Sequence, residues 1–131
     1  MLQLNYRDAK PIYEQVKEGL VSLMVSGALT EGEKLPSVRA MASSMAINPN
    51  TIQRAYEALE QEGYIYSVLG KGSFVATRED ISPQRRDELL AVWDKVTGEL
   101  LFLGVAEGDL KLRLNRMAAT ESGNEVSQDE N

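Results

Sequence analysis

The fold is decided by residues 35–63, which have the sequence LPSVRAMASSMAINPNTIQRAYEALEQEG. Pro36 followed by Ser37 is typical of the start of a short helix. A second helix start is indicated at Asn48-Pro49, where a capping residue is followed by proline at the first helical position. Gly63 is a natural end for this second helix. Two short helices joined by about three residues predict a helix-turn-helix.

The sequence on either side of this stretch predicts one further helix and a β-hairpin. A helix begins near Pro11 and ends at Gly27, with apolar residues along one face. After Gly63 the apolar pattern alternates, and the β-rich runs 64–68 and 73–76 are joined by a glycine-rich turn. Three helices followed by a hairpin is the order of a winged helix-turn-helix. The expected fold class is therefore mainly α with a small β-hairpin.

A helical segment follows the predicted wing. Ser82-Pro83 begins a helix whose apolar residues are spaced by four and three, namely Leu89, Trp93, Val96, Leu100 and Leu103. A last helix is predicted around residues 107–118. One short helix pair has little core of its own, so we expect this seam to dimerise rather than to pack on the winged helix. The sequence leaves open whether these helices pack within one chain or exchange between subunits.

These patterns divide the chain of 131 residues into three parts. We expect a winged helix-turn-helix over residues 1–77, a short helical dimerisation segment over 78–119, and a disordered acidic tail over 120–131. No large effector domain is expected, since domains usually have about 100 residues or more.

Charge is distributed unevenly along the chain. The net charge is −6, of which residues 78–131 contribute −5 and residues 1–77 only −1. The 23 residues from Lys34 to Tyr56 contain no acidic side chain. Because local charge governs attraction to phosphate within a Debye length, this window predicts a localised positive surface in an acidic protein.

Composition excludes several classes of site. The sequence contains no His and no Cys, which excludes thiolate and imidazole metal sites, disulfides and His-dependent triads. No P-loop, nucleophile elbow or metal-spaced cluster is present, so we expect no enzyme, no metal and no cofactor. The apolar stretches are too short to cross a bilayer and no secretory signal is apparent, which predicts a cytoplasmic protein.

The second helix of the helix-turn-helix has two opposed faces. At about 100° per residue, its apolar residues fall on one side and Asn50, Gln53 and Arg54 on the other, with Thr51 on the flank. Amide and guanidinium groups are the side chains that hydrogen-bond base edges, and the first turns of this helix are the part that enters a major groove. These four residues are the predicted base and phosphate contacts.

Two further contacts are predicted outside this helix. Arg39 lies near the start of the preceding helix, where such motifs cross the sugar-phosphate backbone. Lys71 lies at the tip of the wing between Gly70 and Gly72, which let the backbone approach a duplex closely. A solvated polar surface would account for the same residues, but their positions within the motif favour DNA contact.

An extended set of motifs resembles the DNA-binding domain of GntR-type transcriptional regulators, in particular the YtrA-like branch with its short C-terminal segment. The matching residues are in order and in register, and they are Pro11-Ile12-Tyr13, Gln15-Val16, Gly32 to Arg39, Asn48-Pro49-Asn50-Thr51, Arg54-Ala55-Tyr56, Leu59-Glu60, Glu62-Gly63, Gly70-Lys71-Gly72 and Phe74-Val75. Gln53 stands where many family members have arginine, so the operator preference does not carry over.

The resemblance implies a homodimeric regulator that binds a partly palindromic, double-stranded operator, most often as a repressor. It implies DNA contacts at Arg39, around Asn50-Thr51, at Arg54 and at the wing near Gly70. The alternative hypothesis is a winged helix that serves as a protein-interaction module. The operator sequence, the regulated genes and any small-molecule effector are not specified by the sequence.

Overall fold

The computed structural model describes residues 2–129, and the surroundings of side chains within residues 2–119. Over this range the chain forms five α-helices and one antiparallel hairpin. The elements are α1 (Ile12–Ser26), α2 (Val38–Met45), α3 (Pro49–Glu62), β1 (Ile65–Val68), β2 (Gly72–Val75), α4 (Pro83–Phe102) and α5 (Glu107–Asp129). The winged-helix order expected from the sequence is confirmed.

Caps and glycines set the helix ends where the sequence predicts them. The Ser37 hydroxyl accepts a hydrogen bond from the backbone N–H of Ala40 at 3.0 Å, which begins α2. The Asn48 side chain accepts one from the N–H of Asn50 at 2.8 Å, with Pro49 in the first turn of α3. Gly27 and Gly63 end α1 and α3 in the left-handed conformation.

The core lies where α1, α2 and α3 meet the hairpin. Its buried side chains are Val16, Leu20, Leu35, Met41, Ala42, Ile52, Ala55, Tyr56, Leu59, Ile65 and Val75. Four of these belong to α3, namely Ile52, Ala55, Tyr56 and Leu59, and they lie on the apolar side that the helical period of 100° per residue predicts. Burying each large aliphatic side chain stabilises the fold by roughly 1.5–3 kcal/mol, so α3 is the central element of this unit.

One buried phenol joins α3 to the start of α2. The Tyr56 hydroxyl donates a hydrogen bond to the backbone carbonyl of Pro36 at 2.8 Å. Burial raises the pKa of Tyr56 to about 12, because the phenolate would lose its hydration there. The stabilisation by the neutral phenol is complete below the ordinary pKa of 10.0 and declines as the pH rises towards 12.

The wing has a third chain segment at its base. β1 pairs with β2 from Ile65 opposite Val75 to Val68 opposite Gly72. Residues 32–35, where the sequence predicts no strand, lie along the other edge of β2. There the N–H of Leu35 donates to the carbonyl of Ser73 at 2.8 Å, and the N–H of Val75 donates to the carbonyl of Glu33 at 2.9 Å. The edge of β2 would otherwise leave backbone groups unpaired, which explains the difference.

The chain divides into two compact units, Met1–Arg86 and Asp87–Asn131. The first unit extends beyond the predicted boundary at residue 77, since a 3₁₀ turn at Arg78–Asp80 leads the chain back to the end of α3. There the N–H of Ser82 donates to the carbonyl of Glu62 at 2.9 Å. The Glu62 carboxylate also accepts from Lys17 at 2.7 Å and lies 3.5 Å from the Arg85 guanidinium.

The second unit consists of α4 from Asp87 onward and of the whole of α5. Gly104 adopts a positive φ of 92° in the turn that separates these helices, as a helix-ending glycine does. α5 continues to Asp129, so the backbone over residues 120–129 is helical, whereas the sequence predicts a disordered tail there. This stretch contains a single glycine, Gly123, and no proline, so the two residue types that most disfavour a helix are nearly absent from it. Residues 130–131 of that predicted tail lie outside the described range.

Gly27 and Gly63, which end α1 and α3, provide a matched test of the close approach at the end of α3. Gly27→Ala places a Cβ in open space at φ +86°, so we expect a loss of about 1 kcal/mol in the free energy of unfolding. Gly63→Ala has a similar φ of +90°, but its Cβ meets the backbone carbonyl of Asp80. We expect a loss of about 3 kcal/mol, measured by urea unfolding. Equal losses for the two variants would show that the 3₁₀ turn does not pack on Gly63.

Candidate nucleic-acid interface

The outer face of α3 begins at a rigid helix end. Asn48 and Pro49 fix its first turn, and Asn50, Gln53 and Arg54 are exposed while Thr51 is half-buried. The buried face of the same helix is fully occupied by core contacts. The separation of polar and apolar faces that the sequence predicts is therefore present, and the polar side chains project from a fixed support.

Two of these polar residues have partners. The Gln53 amide nitrogen donates to the Glu57 carboxylate at 3.1 Å, one turn further along α3. This bond orients the Gln53 amide and leaves its carbonyl oxygen available as an acceptor. The Arg54 guanidinium carbon lies 3.9 Å from the centre of the Tyr13 ring, in cation–π geometry.

The contact between Arg54 and Tyr13 brings α1 to the edge of the recognition face. An open depression of about 320 Å³ lies between the two helix starts. Its lining residues come from α3 and from the first turn of α1, and they are Pro11, Ile12, Tyr13, Asn50, Thr51 and Arg54. The sequence resemblance included Tyr13, but sequence reasoning did not assign it to the interface.

The wing forms a second group of site residues. Lys71 is exposed in the hairpin turn, between Gly70 at φ +78° and Gly72 at φ +117°. Leu69 next to them is completely exposed, at 102% of its reference area. The stacked rings of Tyr66 and Phe74, with centres 5.6 Å apart, connect β1 to β2 below this turn.

Lys34 joins the wing, a placement that sequence reasoning missed. A Cβ on Gly72 would lie 2.9 Å from the Lys34 Cε, so the lysine side chain crosses the glycine closely. Lys34, Lys71 and Ser37 all line an open depression of about 620 Å³ between the wing and the start of α2. Lys34 begins the acid-free window 34–56, and this position could have identified it as a candidate phosphate contact. The pairing of Lys34 with β2 joins distant parts of the chain, which no local sequence pattern indicates.

The predicted site residues therefore fall into two groups with two residues outside them. Asn50, Thr51 and Arg54 line the first depression, and the Gly70–Gly72 turn lines the second. Arg39, at the second position of α2, and Gln53 are exposed and line neither. Among the described residues no His, Cys, Asp and Glu cluster could hold a metal ion.

Of the described helices, none is both long enough and apolar enough to cross a membrane. Residues 34–56 contain no acidic side chain, whereas Glu33 directly precedes Lys34 and Glu14 directly follows Tyr13 of the first depression. Within residues 34–56, the positive charges of Lys34, Arg39 and Arg54 are therefore not offset by an acidic residue of the same stretch.

Comparison with known proteins matches this architecture to one family. The family described as "Bacterial regulatory proteins, gntR family" matches residues 12–75, which include α1, α2, α3 and both strands. The HTH-type transcriptional repressor YtrA of Bacillus subtilis is 41% identical over 76 residues, which cover 58% of this chain and 58% of the repressor. The similarity to YtrA thus extends over little more than half of that protein.

Two solved structures are similar as well. A GntR family transcriptional regulator from Listeria monocytogenes has a TM-score of 0.66 and 31% sequence identity, covering 85% of this chain and 98% of its own. The AraR DNA-binding domain in complex with operator ORR3 has a TM-score of 0.50 and 32% identity, covering 56% of this chain and 89% of its own. These relatives are named as regulators rather than enzymes. The chain belongs to the GntR family of bacterial regulatory proteins.

Proposed function

We propose that the chain is a sequence-specific DNA-binding regulator of transcription that binds a partly palindromic operator as a homodimer. The observation that carries the proposal is the outer face of α3, where amide and guanidinium groups project from a helix whose opposite face is buried. The solved operator complex of the related AraR domain supports it. Repression, the activity named for YtrA, would follow from occupying DNA that polymerase needs. Such a regulator acts in the cytoplasm, where bacterial DNA lies.

The site residues of α3 and those of the wing suit different parts of a duplex. Asn50 and Gln53 have the hydrogen-bonding groups that pair with adenine, and they project from the half of α3 that enters a major groove in this motif. Lys71 and Lys34 are flexible cations at the wing, suited to phosphate oxygens that carry no sequence information. Arg39 is exposed at the start of α2, where it would contact the backbone on the near side of the groove.

The homodimer is supported by the apolar surface of α4. None of the 20 residues of α4, all of them within the described range, is buried, although Trp93 and Val96 are apolar and about half exposed. The rest of the predicted seam is similar, with Leu89 and Leu103 exposed and Leu100 half-buried. A second copy of the chain supplies the matching apolar seam, and two-fold symmetry would then present two α3 helices to two half-sites.

Gln53→Ala tests base reading by α3. We expect this variant to lose roughly 1–3 kcal/mol of binding free energy on its preferred duplex and to discriminate less at one base position. The duplex is selected from a random-sequence pool with the intact chain, and affinities are measured by fluorescence anisotropy. Gln61→Ala, which removes the same exposed side chain from the last turn of α3, should bind normally. Equal affinity of the wild type and Gln53→Ala for every duplex would contradict the assignment.

Lys71→Ala tests phosphate contact by the wing. We expect weaker binding to all duplexes alike, and a slope of log K against log salt that is smaller by about 1, because one phosphate contact is lost. Lys111→Ala serves as the control, since Lys111 lies on α5 and pairs with Glu107 at 3.0 Å. If the two lysine variants have the same salt slope, the wing does not touch the backbone.

Val96→Asp tests the apolar seam. A charge there would have to be buried between two copies, so we expect the dimer to dissociate in analytical ultracentrifugation while circular dichroism remains that of a helical protein. Val25→Asp is the matched control, because Val25 is an 83% exposed valine on α1 of the first unit. A wild-type chain that sediments as a monomer, or a Val96→Asp chain that remains dimeric, would refute dimerisation through α4.

A further inference from the structure

The strongest unassigned feature of the interface is the aromatic ring beneath the Arg54 guanidinium. The guanidinium carbon lies 3.9 Å from the centre of the Tyr13 ring, well within the distance of a cation–π contact. Tyr13 is in the first turn of α1, and it also packs against the core of the unit. The ring is therefore fixed from below, while the guanidinium above it is exposed.

This contact constrains Arg54 without using its hydrogen-bond donors. The five N–H groups of a guanidinium lie in its plane and point outward, whereas the cation–π contact occupies only one of its faces. Within the part of the chain whose side chains are described, no carboxylate lies at salt-bridge distance from Arg54. Its charge and its donors thus remain available to an anion or a base edge.

The energetic consequence is preorganisation. A free arginine side chain loses rotamer entropy when it is immobilised on a partner, and that loss weakens binding. An arginine already held on an aromatic ring has lost part of that entropy before binding occurs. Its bond to the duplex is then correspondingly stronger.

We infer that Tyr13 is a positioning residue for DNA binding: its ring holds the Arg54 guanidinium beside Asn50 and Thr51, ready to hydrogen-bond to the operator. The inference rests on the proposed DNA-binding function and adds α1 to an interface otherwise formed by α2, α3 and the wing. Tyr13 acts through Arg54, and it makes no bond to DNA itself.

A double-mutant cycle on the intact chain tests this role. Tyr13→Leu keeps an apolar side chain on the core but removes the aromatic face, and it should weaken binding to the selected duplex about three- to five-fold. Tyr13→Phe retains the ring and loses only the hydroxyl, which donates a hydrogen bond to the Glu14 carboxylate at 3.2 Å. This variant should therefore bind the duplex with the affinity of the wild type. In the Arg54→Ala background, Tyr13→Leu should have no further effect, because the group that it positions is gone.

The outcomes separate this inference from the function on which it rests. If the wild-type chain selects and binds no duplex, the proposed function fails. If the wild type binds and Arg54→Ala weakens binding, but Tyr13→Leu binds as the wild type does, the positioning role is refuted. It is also refuted if Tyr13→Leu weakens binding equally in both backgrounds, because that pattern indicates a purely structural effect. Urea unfolding of each variant establishes that the compared proteins are folded.

Discussion

Four side chains of α3 are inserted between α1, α2 and the hairpin, and the remaining elements of the first unit are arranged around them. Ile52, Ala55 and Leu59 are completely inaccessible to solvent and Tyr56 nearly so. Because an α-helix is rigid over this length, fixing the inner face fixes the direction of every side chain on the outer face. The Tyr56 hydroxyl then ties this helix to the turn that begins α2, which sets the relation between the two helices of the motif.

Most of this architecture could be predicted from the sequence because it depends on local chemistry. Ser37, Asn48 and Pro49 determine helix starts through their own backbone neighbours, and Gly27 and Gly63 determine helix ends through a conformation that other residues avoid. The inner face of α3 follows from a helical period and is confirmed residue by residue. The wing follows from alternating apolar residues about a glycine-rich turn.

The features of the first unit that sequence reasoning missed depend on contacts between distant parts of the chain. The stacking of Tyr13 under Arg54 joins α1 to α3, and the passage of Lys34 over Gly72 joins the loop before α2 to the wing. No periodicity or cap signals either contact. The 3₁₀ turn near Gly63 is of the same kind, since it depends on how the chain returns to the end of α3 after the hairpin. Whether the predicted contact residues touch DNA depends on a partner and stays a prediction.

The pairing of residues 32–35 with β2 has a mechanical consequence for the wing. β2 is paired on both edges, by β1 and by residues 32–35, whereas residues 69–71 lie beyond the last paired positions of the hairpin. We therefore expect the backbone of the hairpin to be held firmly at its base and to be least constrained at residues 69–71. Substitutions of Leu69 or Lys71 leave the core untouched, so related proteins can diverge there in their fit to different duplexes at little cost in folding, whereas Gly70 is restricted by its positive φ.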